Sequence, residues 1–171
     1  MKKRISMEGI RKILAPVALG PVEFTRGLVS YAGKLAMALD ARLMVANIIN
    51  SRDVDAIQRI SSMGYDVDGE HYVSGIRSER ESFLKNIIQK TGLDDQKVRT
   101  LIEVGNPIDQ LLRIIVDEQI DMVVMGAKGA THLEHVLVGS VASKLFRRSP
   151  VTVVSYRDDK MADRLRERIT G

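Results

Sequence analysis

Apolar positions along this chain fall into two rhythms. Met122, Val123, Val124 and Met125 form a short unbroken run, as a strand buried on both faces would. Ile10 to Val17, Leu43 to Ile49 and Val151 to Val154 read as further strands. Val98 to Val104, of mixed polarity, reads as a strand at a sheet edge. Elsewhere the apolar spacing is helical. Leu28, Ala32, Leu35 and Leu39 share one face of a helix that ends near Ala38. Ile76 to Lys90 is another, with Leu84, Ile87 and Ile88 inward and Gly92 placed beyond its end. Ile108, Leu111, Leu112 and Ile115 make the buried stripe of a helix that Asn106 can cap and Pro107 can open. Val141, Leu145 and Phe146 carry the last of these patterns, which Pro150 stops.

Two stretches are less regular. In residues 51–75, Val54, Ile57 and Ile60 suggest a short helix, and Gly64, Gly69 and Gly75 interrupt the residues beyond it. This is read as a surface insertion in preference to a flap over a site. Residues 157–171 are charged with few apolar positions, a solvated helical tail or a disordered one. The alternation of strands and helices implies an α/β fold, with a parallel sheet and right-handed crossovers. At 171 residues without an internal repeat, the chain is one domain with a sizeable core.

Composition changes this picture little. Hydrophobic residues make up 44% and charged residues 28%, ordinary for a soluble globular protein, and with no Trp the core must be aliphatic. The net charge of +4 is local. Lys2, Lys3, Arg4, Arg11 and Lys12 face only Glu8, and the rest of the chain is balanced. A frayed basic arm over residues 1–9 is therefore expected, and no basic face for nucleic acid. The absence of Cys excludes disulfides and thiol chemistry. Glu8, Arg11, Lys12 and Pro16 break any signal-peptide pattern at the start, and no run approaches the ~20 apolar residues of a membrane span. A cytoplasmic protein is expected.

The candidate chemistry lies between the strand at 122–125 and the helix after it. Gly126, Gly129 and Gly139-Ser140 punctuate that loop. Glycines allow tight turns and close approach of a ligand to the backbone. Gly139 and Ser140 stand where the helix begins, so free N–H groups and the positive dipole end would face an anion. Ser140 adds a hydroxyl donor and Lys128 a mobile cation. A helix cap with two ordinary turns has the same spacing, which is neither the Rossmann nor the P-loop pattern.

The run Gly126-x2-Gly129-x9-Gly139-Ser140 resembles the nucleotide-binding motif of the universal stress protein family. The resemblance takes in Val104-Gly105-Asn106-Pro107, Asp121 to Gly126 and the opening strand Arg11 to Val17. It covers about residues 10–156, leaving 157–171 as a charged tail. It implies a five-stranded parallel sheet of order 3-2-1-4-5 with helices on both faces, the adenine nucleotide alpha hydrolase-like arrangement. ATP or a related adenine nucleotide would sit where strands 1 and 4 diverge. By that resemblance Pro16 and Val17 line the base pocket, Ile48 packs on the adenine and Met125 lies beneath the nucleotide. Gly126, Gly129, Gly139, Ser140 and Val141 hold ribose and phosphates, with Lys128 in reach of a phosphate. A magnesium or manganese ion bridging the phosphates would need few protein ligands.

One position departs from the pattern. Ala18 stands where the family commonly has an Asp that can bond the adenosine; losing such bonds weakens binding by ~1–3 kcal/mol, or roughly ten- to a hundredfold. His132, Glu134 and His135 are read as exposed polar residues, since a zinc site needs a further ligand. Ser140 with His135 lacks a third catalytic partner. The expected function is a dimeric, nucleotide-binding stress sensor with regulatory protein partners. The alternatives are a dimeric interaction module with an empty site and a nucleotide hydrolase. The uncharged strand Val151 to Tyr156 would form the homodimer by edge-to-edge pairing.

Overall fold

A computed structural model describes residues 9–63, 69–94, 96–127 and 139–170. The strands are β1 (Lys12–Pro16), β2 (Arg42–Asn50), β3 (Val98–Gly105), β4 (Met122–Gly126) and β5 (Thr152–Tyr156). The helices are α1 (Val22–Ala38), α2 (Ser51–Ser62), α3 (Gly69–Thr91), α4 (Pro107–Asp117), α5 (Ser140–Arg148) and α6 (Asp159–Thr170). The strands form one parallel sheet in the order β3-β2-β1-β4-β5.

Alternation along the central strands divides the core in two. Ile13 and Ala15 of β1 and Val124 of β4 pack with Leu28 and Val29 of α1 and Leu84 and Ile87 of α3. Leu14 and Val123 point the other way, to Leu111, Ile114 and Ile115 of α4 and Leu145 of α5. Helices thus cover both faces, as a parallel sheet requires. Asp121 ties the start of β4 to that of β1, its carboxylate accepting from the Arg11 and Lys12 amides at 2.9 and 3.1 Å. The pairing beyond is unequal. β1 partners β2 from Lys12 to Pro16, but partners β4 only at Ile13 and Leu14.

The helix ends follow their signals. The Asn106 side chain accepts from the amides of Ile108 and Asp109 at 3.1 and 3.4 Å, with Pro107 opening the helix. Gly92 adopts φ +67 after α3, a conformation that favours glycine. Some expectations need correction. The stretch 51–75 is not a plain insertion. α2 follows β2 directly, and α3 begins at Gly69 instead of residue 76. Gly75 costs that helix ~1 kcal/mol, but it is exposed with open space around it. Val54 and Ile76 pack against the α1/α3 core. In α4, Ile114 is buried and Leu112 only partly so, while Phe146 of α5 is 64% exposed. The tail forms α6, a helix with no buried residue.

Leu145 and Phe146 are neighbours in sequence with opposite environments. Leu145→Ala should lose ~2–5 kcal/mol, and Phe146→Ala should stay within about 0.5 kcal/mol of wild type. Urea unfolding of both variants checks the contrast, and equal losses would refute it.

Candidate functional site

The crossovers leaving β1 and β4 go to opposite faces of the sheet. β1 leads to α1 on the α3 side, and β4 leads to α5 on the α4 side. Their carboxyl ends therefore bound a crevice, the usual ligand position in an open α/β sheet. A cavity of about 270 Å³ lies there, near the lower end of the roughly 300–1,000 Å³ usual for small-molecule clefts.

Every candidate site residue that the structure describes lines this cavity. Pro16, Val17 and Ala18 come from the end of β1, and Ile48 from β2. Met125 and Gly126 come from β4, and Gly139, Ser140 and Val141 from the start of α5. Lys128 and Gly129 lie outside the described residues, as do His132, Glu134 and His135. Gly139 N–H donates to the Ala127 carbonyl at 3.1 Å, and Ala127 N–H to the Tyr156 carbonyl at 3.2 Å. Ala127 and Gly139 are thereby held together beside β5.

Helix α5 presents its N-terminus to the cavity. Gly139 is its N-cap, and the Gly139 carbonyl accepts the first helical bond, from Ser143 N–H at 2.9 Å. The amides of Ser140, Val141 and Ala142 precede that bond. No side chain caps them among the described residues, and the first turn holds no acidic residue. Arg147 and Arg148 occupy the last turn, complementing the helix dipole. The end of α5 that lines the cavity is therefore the electropositive one, with donors to spare. α4, on the same face, is already capped by Asn106 and carries Asp109 in its first turn.

The opposite end of the cavity is apolar and tightly bonded. Val17 N–H donates to the Ala46 carbonyl at 2.8 Å. The Val17 carbonyl accepts from Asn47 Nδ2 at 2.8 Å, and Asn47 is 2% exposed. Arg80 Nη1 donates to Asn47 Oδ1 at 2.5 Å and to the Ile48 carbonyl at 3.2 Å. Burial lowers the Arg80 pKa from its ordinary value, partly opposed by Asp53, Glu79 and Tyr72. No described group accepts from its buried Nε.

Helix α1, with its N-cap Pro21, supplies a wall that the sequence reading missed, including Phe24 and Thr25. Extending the Leu28-Ala32 stripe back by one turn would have reached Phe24. Tyr156 supports it, with ring centroids 5.5 Å from both Phe24 and Tyr31. Gly27 makes room for the Tyr156 hydroxyl, which a Cβ at that position would strike.

A family model described as the universal stress protein family matches residues 9–157. The chain belongs to the universal stress protein family. Among curated relatives, this universal stress protein is 29% identical over 116 residues to universal stress protein MJ0577 of Methanocaldococcus jannaschii. That match covers 64% of this chain and 71% of the relative. The solved structure of MJ0577 superposes with a TM-score of 0.65 at 23% identity, covering 88% of this chain and 99% of that one. A universal stress protein solved in complex with cAMP gives 0.58 at 19% identity, covering 86% and 97%. At such identities the solved structures establish a shared fold. No described helix of this universal stress protein is long and apolar enough to cross a membrane.

Tyr156 offers a test of the aromatic support. Burial, then Asp158 and Asp159, raise its pKa above the ordinary 10.0. The folded state thus keeps the phenol proton more firmly than the unfolded state. Its contribution is fully present below pH 10.0 and is lost as pH rises through the higher folded value. Tyr156→Phe cannot ionise, so its urea midpoint should fall less than that of wild type on passing into that alkaline range. Parallel declines would remove Tyr156 from this role.

Proposed function

We propose that this universal stress protein binds ATP or another adenine nucleotide in the β1–β4 crevice and acts as a dimeric stress-response sensor or regulator. The observation that carries the reading is the N-terminus of α5, which no described side chain caps and whose first turn holds no acidic residue, lining the cavity. The amides of Ser140, Val141 and Ala142, with Ser140 Oγ, would take the phosphates, and Gly126 and Gly139 would let them approach. Lys128 and Gly129 would join from the neighbouring span. Pro16, Val17 and Ile48 would flank the base, with Met125 beneath. The cavity's mostly apolar base end and electropositive far end match the two ends of such a ligand. The similar protein solved with cAMP supports the same ligand class. Magnesium or manganese bound with the nucleotide would neutralise part of the phosphate charge and would need few ligands from the protein. Ala18 favours a second reading, an interaction module with a weak or empty site. A cytoplasmic setting and regulatory protein partners belong to the proposal.

Calorimetry with ATP, ADP and AMP up to about 1 mM, with and without magnesium, should show binding of at least one of them. Gly139→Val should abolish it, and Ser140→Ala should weaken it by ~0.5–3 kcal/mol. Ala18→Asp should tighten it by restoring an acceptor for the adenosine. No heat, together with no nucleotide released on heating the purified protein, would decide for the empty-site module.

The dimer would form along β5, which ends the sheet and pairs only with β4 among the described strands. Its sequence, TVVSY, contains no charge and no Pro to blunt the edge. Antiparallel pairing with a second copy would extend the sheet across a two-fold axis. Val153→Lys, or Thr152→Lys at an exposed position of the same strand, should yield folded monomer by sedimentation, while deletion of 158–171 should leave the dimer. A monomeric wild type would defeat the proposal.

A further inference from the structure

We infer that Arg80 is a positioning residue for the base end of this site, acting through Asn47 on the turn after β1. The inference rests on the reading of the crevice as a nucleotide site. Arg80 lies on α3 and is not among the residues that line the cavity. It acts on two segments that do. It bonds the Ile48 carbonyl directly, and it reaches the Val17 carbonyl through the Asn47 amide.

The Asn47 amide has two possible orientations. In the one observed, Oδ1 accepts from Arg80 and Nδ2 donates to Val17. A flip would set Nδ2 against a guanidinium that can only donate, and Oδ1 against a carbonyl that can only accept. Arg80 therefore selects the orientation that fastens Val17 to β2. The arrangement has a cost, since the guanidinium is partly desolvated and its Nε meets no acceptor among the described residues. An apolar side chain of similar length would avoid that cost. What it would lose is the tie between α3 and the two segments that flank the base. Ala18 heightens the dependence on that tie. With no carboxylate there to fix the adenosine, the shape of the wall must do so.

The test uses the full chain, ATP and inorganic tripolyphosphate. In wild type both anions should bind. Arg80→Met should weaken ATP about tenfold, the scale of one charge-assisted hydrogen bond, and leave tripolyphosphate affinity unchanged. Arg80→Lys, which keeps a donor, should recover most of the loss. Without ligand, amide exchange at residues 17–20 should be faster in Arg80→Met than in wild type. An unchanged ATP affinity, or an equal loss for both anions, would overturn the inference. A wild-type chain that binds neither anion would overturn the nucleotide reading itself. The exchange comparison would then still decide for Arg80, faster exchange supporting its role and unchanged exchange overturning it.

Discussion

Strand β1 must bury both faces and satisfy hydrogen bonds along both edges. Ile13, Leu14 and Ala15 are all fully buried, and the strand is flanked by β2 and β4. Apolar removal from water drives such burial at ~25 cal/mol per Å², but it is possible only if helices cover each side. The chain meets that demand by sending its first two crossovers to one face and its last two to the other. The reversal has a geometric by-product. Where one crossover leaves upward and its neighbour downward, a gap opens between them, and the cavity lies there.

The sheet and most helices were legible because their signals are local or periodic. The run 122–125 needed only its unbroken apolarity, and Asn106-Pro107 needed only cap chemistry. Phe146 misled because helical spacing alone does not say where a stripe ends. Leu145 already fills the buried position, and the next residue turns outward by about 100°. The start of α3 was hidden because Gly69 and Gly75 resemble loop punctuation, although the helix runs through Gly75 at an exposed position.

The candidate site was legible in proportion to its backbone content. Gly126, Gly139 and Ser140 stand out because glycine and helix-start residues carry their chemistry in their identity. Phe24 was harder, since its place on the wall depends on how α1 crosses the sheet. Arg80 was invisible. An arginine among other charges on a long helix reads as solvated, and only the fold brings it 2.5 Å from an amide 33 positions away in sequence. Asn47 gave a partial signal as the one polar residue inside 43–49, because a buried amide requires partners.

The short pairing between β1 and β4 has a mechanical consequence. The sheet is stitched along its full strand length between β1 and β2, but only near the amino ends between β1 and β4. Mechanically it is two panels, β3-β2-β1 and β4-β5, joined along a partial seam. A molecule seated in the crevice would touch both panels and bridge the seam with its own bonds. Its binding energy would then appear as cohesion between the halves. Occupancy would be transmitted to the β5 edge as stiffness, with no need for a lid or a change of shape.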